Sequence, residues 1–409
     1  MVEIPFDTGT LSVSLPSCRI ERVEPGVSEA VDVESRARAA LRDPHGPPLR
    51  DLADPEDAVA IVVTDVTRKT PDGTLLAALV EELDRAGVGR DRITVVVGLG
   101  LHRPMSDAEI EAALGEYADL TVNHDPDRTR TVGRIEDCPI EIFEPVADAD
   151  LVCSTGMVEP HQYAGFSGGA KTAVIGAGGE SQIRYSHGPE MLSREGVRLG
   201  RIEDNPFRDF LDRAGDRLGV EFCLNVTRGP AGITGVSAGQ PRRVVESLAA
   251  TARESLSVPV TDEYDAVVAG IGAPKDANLY QASRGATYVV LGAHNPLREG
   301  GRVVLPARLS EGAGEGRGER RFYEQLSAAE DAESLYERLR LGYEPGTQRA
   351  FVLARTLREH DVWVTNSESP DVVEDCLMRA AGSLEAAIEP GSDVLVVPDA
   401  LNTLLSAGE

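Results

Sequence analysis

Short apolar runs, each closed by a polar turn and followed by an amphipathic stretch, recur along most of the chain. Residues 58–64 (AVAIVVT) have the continuous apolar character of a buried strand. The polar turn 65–73 follows, and then apolar positions at helical spacing over 74–86. A second strand at 92–97 runs into the turn 98–104, after which Ser106 and Glu109 have the spacing of a helix capping box. The same reading predicts strands at 149–154 and 221–226 and helices at 182–191, 206–218 and 242–254. From Tyr264 the alternation restarts, with strands at 266–271, 302–305, 361–365 and 393–397. Helices are expected at 280–291, 321–341, 347–359 and 372–388.

Strand, turn and helix in alternation predict an α/β fold of two domains, each a mainly parallel sheet flanked by helices. The chain of 409 residues is longer than a single core usually serves. The expected division is an N-terminal domain over 1–260 and a C-terminal domain over 261–409, with the last ~15 residues packing back on the first domain. In such sheets ligands bind beyond the carboxyl ends of the strands, so Asp65, Arg68 and His102 are expected on one rim. The glycine-rich, charged stretch 310–320 reads as a mobile surface loop.

Composition narrows the partners. The chain carries 68 acidic against 41 basic residues, for a formal charge of -27. Phosphate-rich nucleic acid and anionic membranes are therefore poor partners, and a small substrate is expected. Only Lys69, Lys171 and Lys275 are lysines, so arginine supplies nearly every cation. An acidic, lysine-poor surface suits a salt-rich cytoplasm, which predicts a halophilic, cytoplasmic protein. No apolar run reaches the roughly 20 residues of a membrane span, and the first residues lack the pattern of a secretory signal. Five scattered cysteines with no C-x-x-C pair predict reduced thiols rather than a disulfide framework or a cysteine zinc site.

Where arginine serves almost everywhere, a retained lysine invites a role that a guanidinium cannot fill, such as an amine nucleophile. Lys171 stands in GFSGGAKT (165–172), one residue from a phosphate-binding P-loop, with Ala170 at the last glycine position. A P-loop is fed by a strand, whereas the octet follows EPHQYA (159–164), which does not read as one, so the triphosphatase reading is set aside. What remains is a glycine-lined loop presenting Lys171.

Five stretches, DVTRKTP (65–71), GLHRPMS (100–106), VEPHQYAGFSGGAKT (158–172), SHGPEM (186–191) and KDANLYQASRGA (275–286), together resemble the nickel-pincer lactate racemase family. The resemblance spans most of 55–290. It implies that Lys171 binds a nickel-carrying pyridinium mononucleotide with two thiocarboxyl groups, through a thioamide, and that His187 coordinates the nickel. His102 and His161 would be the acid/base pair, Asp65, Val66, Thr67 and Arg68 would contact the cofactor, and Arg68, Gln281 and Arg284 would hold the substrate. Arg284 stands where the family usually has lysine; it still grips a carboxylate, but moves the anchor point. Implied partners are a small 2-hydroxy acid and the proteins that make the cofactor.

The implied chemistry suits these residues. The carbinol hydrogen of lactate is too weakly acidic for a side chain to remove, so inversion is easier by removing hydride and returning it to the other face. The hydroxyl proton must leave with it, and neutral imidazole can accept it. With Gln281 and Arg284 in the second domain and the histidines in the first, the active site is expected in the interdomain cleft. The substrate could instead be malate, an aromatic hydroxy acid or a sugar acid. A cofactor-binding protein without turnover would not need both His102 and His161. A zinc hydrolase is disfavoured because H-E-x-x-H is absent.

Overall fold

The computed structural model describes residues 2–26, 28–100, 102–344 and 346–408. They form two compact units. One holds residues 28–186 and 194–255; the other gathers the chain up to Gly26, His187–Ser193, and everything from Leu256 on.

The first unit is built on a six-stranded sheet in the order Gly232–Gly239, Val220–Gly229, Leu151–Val158, Val59–Thr64, Ile93–Gly98, Thr121–Asn123. All neighbours are parallel except the hairpin of the first two. In chain order this is the doubly wound arrangement 3-2-1-4-5-6, whose direction reverses between Val59–Thr64 and Leu151–Val158. Ile61, Val63, Val95, Val97, Cys153 and Leu224 build one side of the core against Leu75 and Leu79 of helix Asp72–Arg85. Helix Asp107–Leu114 opens with the expected Ser106–Glu109 capping box, and helix Pro206–Leu218 has the predicted bounds.

The second unit carries a six-stranded, all-parallel sheet in the order Arg379–Ala381, Asp361–Thr365, Leu297–Pro306, Tyr264–Ala269, Asp393–Val397, Arg19–Arg22. The first 26 residues, expected with the N-terminal domain, instead belong to this unit, and their strand Arg19–Arg22 covers the edge of Asp393–Val397. Arg19 seals that pairing with an ion pair to Asp393 at 2.8 Å. The C-terminal strand Leu404–Ala407, expected to return to the N-terminal domain, pairs with Ser257–Val260 of its own unit.

Other departures have local causes. The helix predicted over 372–388 is divided by Leu377 at φ 62° and by strand Arg379–Ala381, where pairing with Asp361–Thr365 overrides helix propensity. The stretch 310–320 is a loop only in part, because helix Arg317–Ser327 begins within it. Cys138, Cys153, Cys223 and Cys376 are buried thiols, and Cys18 is half-buried. No helix among the described residues is long and apolar enough to cross a membrane.

Candidate active site

Three turns of the first unit leave the carboxyl ends of adjacent central strands: Asp65–Arg68 after Val59–Thr64, Leu99–Pro104 after Ile93–Gly98, and Glu159–Ala164 after Leu151–Val158. Asp65 is almost wholly buried. One of its oxygens accepts from the Thr67 amide at 2.9 Å and from the Thr67 hydroxyl, and the other lies 2.6 Å from His102 Nδ1. Burial pushes this carboxyl up, but the bonds from His102 and Thr67 outweigh it and hold Asp65 down at about 2. The His102 side chain remains 51% exposed. Its turn is anchored by Asn123, which accepts from the Met105 amide and donates to the Met105 carbonyl, and by the paired bonds of Arg103 to Glu109. Leu101 lies outside the described residues.

His161 is held differently. Its Nδ1 accepts from the amides of Tyr163 and Ala164 at 3.2 and 3.1 Å, and its ring packs near Tyr163 and Phe207. The EPHQYA stretch, which does not read as a strand from the sequence, contributes Pro160–His161 to a two-residue ladder with Gly165–Phe166. Asn205 secures it by donating to the Tyr163 carbonyl at 2.8 Å while capping helix Pro206–Leu218. Glu159, two residues before His161, pairs with Arg68 at 3.6 Å.

The glycine loop is a packing device rather than a phosphate cradle. Gly168 and Gly169 have φ of 80° and 61°, and the Gly169 amide is taken by Asn225 Oδ1 at 2.7 Å. Ala170 packs against helix Pro206–Leu218 at Gly215, where an added Cβ would stand 2.4 Å from its own. Lys171 then opens a single π-turn, Thr172–Gly176, an irregularity common at functional sites. Gly176 crosses Gly98 so closely that a Cβ on it would lie 2.9 Å from the Gly98 Cα, and its carbonyl accepts from the Gly100 amide. This crossing ties the lysine segment to the His102 turn.

Lys171 itself is half-buried. Burial, then the guanidiniums of Arg68 and Arg208, push its amine down to about 7, against weaker opposition from Glu159 and Asp65. At neutral pH a large fraction of it is therefore the nucleophilic free base.

Sequence reading missed three groups. Arg208 is 2% exposed and leaves Nε and Nη2 without hydrogen-bond partners, although Asp212 lies 3.6 Å from Nε. Its signal was the helical period, which puts it on the face of Leu211 and Gly215. Asp72 accepts from Thr64 and Thr155 at the same strand ends, and burial raises it to about 7. His124 is buried edge-on to Phe143, and burial lowers it to about 4.

The remaining predicted residues belong to the second unit. The helix expected over 182–191 breaks at His187 and Gly188 into Glu180–Ser186 and Pro189–Leu192. Arg355 donates to the Leu192 carbonyl at 2.7 Å, holding that short helix in place. Gln281 lies in helix Leu279–Ala282, capped by Asn278, and Arg284 donates to the Tyr288 hydroxyl at 2.7 Å while lying over its ring. Nearby, Arg349 stacks 4.1 Å from the ring centre of Tyr280.

A doubly wound sheet whose switch point gathers imidazoles, carboxylates and a lysine of lowered basicity, joined to a second parallel-sheet unit, is the architecture of a two-domain α/β enzyme. Residues 6–200 match the lactate racemase N-terminal domain and residues 261–408 the lactate racemase C-terminal domain. The chain belongs to the lactate racemase family and is an isomerase. It is 27% identical to the lactate racemase of Thermoanaerobacterium thermosaccharolyticum and 26% identical to that of Lactiplantibacillus plantarum, each alignment covering 99% of both chains. The apoprotein structure of the Thermoanaerobacterium enzyme superposes with a TM-score of 0.87 over 99% of both chains. A Thermotoga maritima protein shares the fold at a TM-score of 0.69 and 17% identity, covering 94% of this chain and all of that one.

Proposed function

We propose that the protein interconverts D- and L-lactate with a nickel-pincer pyridinium mononucleotide, which when bound supplies a reversible hydride acceptor. The observation that carries this reading is the Lys171 amine, brought down to about 7 among Arg68, Arg208, Glu159 and Asp65 in a chain that aligns end to end with lactate racemases.

The residues present fit such a group. Lys171 offers an amine able to form an amide-type bond, while Arg208, with two unpartnered donors, and Arg68 suit an anionic mononucleotide. The turn of Asp65, Val66, Thr67 and Arg68 would line its binding site, Val66 contributing an exposed apolar side chain. His187 would be the chain's ligand to nickel. No three His, Cys, Asp or Glu side chains gather as a metal site among the described residues, so the remaining donors would come from the cofactor.

His102 and His161 would handle the hydroxyl proton, and Gln281 and Arg284, with Arg68, would hold the carboxylate. Arginine at 284, held against Tyr288, together with Arg349 nearby, favours as a second reading a 2-hydroxy acid other than lactate. A cytoplasmic setting and partnership with the cofactor-making proteins belong to the same reading. The test is expression with that machinery, at low and at high salt, followed by chiral chromatography on a panel of D- and L-hydroxy acids. Interconversion of lactate is expected. Turnover of another acid alone favours the second reading, and no turnover of any acid by nickel-loaded protein overturns both.

A further inference from the structure

The turn that presents Lys171 is held from outside by one fully buried side chain. Gln182, in helix Glu180–Ser186, reaches back to the π-turn Thr172–Gly176, where its Nε2 donates to the Val174 carbonyl at 3.1 Å. The same nitrogen donates to the Glu141 carbonyl at 2.6 Å, while Oε1 accepts from the Glu141 amide at 3.1 Å. Two carbonyls and one amide surround the group, so only this orientation of it satisfies all three. Strand Cys138–Phe143, which carries Glu141, is thus the anchor. On the side of the lysine, the Val174 amide bonds at 2.9 Å to the carbonyl of Ala170, the residue before Lys171. Gly178 leaves room for the clamp, because a Cβ on it would collide with both the Val174 oxygen and Gln182 Nε2.

Ordinary i→i+4 bonding is the default of a helical turn, and a lone π-turn persists only where its surroundings hold it. We infer that Gln182 is a positioning residue: by fastening the Val174 carbonyl to strand Cys138–Phe143, it keeps the lysine segment in its widened turn and the Lys171 amine in place. The charged groups facing that amine are Arg68, Arg208, Glu159 and Asp65, and burial with the two guanidiniums favours its free base. Loss of the clamp lets the turn tighten to i→i+4 bonding, which rotates Lys171 away from these groups. This role rests on the reading of Lys171 as the cofactor's point of attachment, and extends it to a residue that acts through the backbone of the lysine segment.

The experiment is acylation of Lys171 in the apoenzyme, followed by mass spectrometry as a function of pH. In wild type the rate should be half-maximal near 7. Gln182→Met keeps the length of the side chain and loses its hydrogen bonds; the midpoint should move toward the ordinary lysine value of about 10.4, with the rate at pH 7 at least about threefold lower. Gln182→Glu loses both donors, and Gly178→Ala wedges the same bond, so both should move the midpoint in the same direction. Leu83→Ala, in the core of the same unit, is the control: it should destabilise the protein and leave the profile in place. A wild-type midpoint in a folded Gln182 variant, or an equal shift in Leu83→Ala, overturns the role. Wild-type protein carries a test that needs no variant. Of its six glutamines, labelled with 15N, one side-chain NH2 pair should exchange with D2O at least about tenfold more slowly than the rest, and six pairs of similar rate overturn the clamp. A wild-type chain that takes up no cofactor defeats the proposed function and leaves the acylation result standing.

Discussion

The two six-stranded sheets end their central strands in different ways. In the first unit, Val59–Thr64 runs into Asp65, whose carboxylate faces His102, and the neighbouring strand ends supply Glu159 and His161. In the second, Tyr264–Ala269 runs into a turn occupied by its own chain. Ala273 donates to the Asp7 carbonyl, Asp276 accepts from the Asp7 amide, and a Cβ on Gly272 would lie 2.6 Å from the Pro5 side chain. The N-terminal hairpin Val2–Phe6 with Gly9–Val13 thus occupies a place equivalent to the one the first sheet lines with titratable groups. Parallel-sheet architecture offers a site at every such strand end, and the chain decides which is lined for chemistry and which is packed shut.

The sharpest way to break this comparison is Lys171→Ala. It is expected to abolish cofactor retention and activity, read as loss of near-visible absorbance and of nickel by elemental analysis. The wild-type amine can be tested directly: with an acylating probe at pH 7.5, Lys171 should be modified faster than Lys69 and Lys275 once access is normalised in unfolded protein, as followed by mass spectrometry. Equal rates remove its special status.

A matched pair of glycine substitutions comes next. Gly176→Ala would press on the Gly98 backbone and Gly272→Ala on Pro5, the latter at a φ of 67°. Each should destabilise by about 1–3 kcal/mol in denaturant titrations. Only Gly176→Ala should also lower turnover, because it separates the lysine segment from the His102 turn.

The smallest effects are pH slopes. The folded Lys171 amine loses its proton near 7, while the unfolded one keeps it to about 10.4, so the unfolded chain binds more protons in that window. Stability of the apoenzyme relative to Lys171→Met should therefore rise with pH from about 7 toward 10. Asp72 works with opposite sign: folded it holds its proton to about 7, unfolded only to about 3.9. Stability relative to Asp72→Asn should fall as pH rises from about 4 to 7. Urea midpoints across that range check both slopes.

Much of the local structure of the candidate site was legible because its residues lie in turns whose neighbours are local in sequence. Asp65 and Thr67 are two apart, the Ser106 capping box closes within one helical turn, and His161 finds its partners at Tyr163 and Ala164. Arg208 and Asp72 were overlooked because burial, not residue type, makes them unusual, and a polar residue on a helix reads as solvated until its surroundings are known. The predicted helix over 372–388 failed for the converse reason: a helix-forming stretch was recruited to a sheet edge.

By itself the sequence determined the alternation of strands and helices, the caps, the glycines of the lysine loop and the identity of the groups available for chemistry. All of these follow from hydrophobic period and from backbone preferences that act over a few residues. Only the tertiary structure decided that strand Arg19–Arg22 belongs to the second sheet, that the Gly169 amide serves Asn225 rather than a phosphate, and that Lys171 is basic only to about 7. Those outcomes depend on edge pairing, close packing and desolvation among residues far apart in the chain, and such terms have no value until the chain has folded.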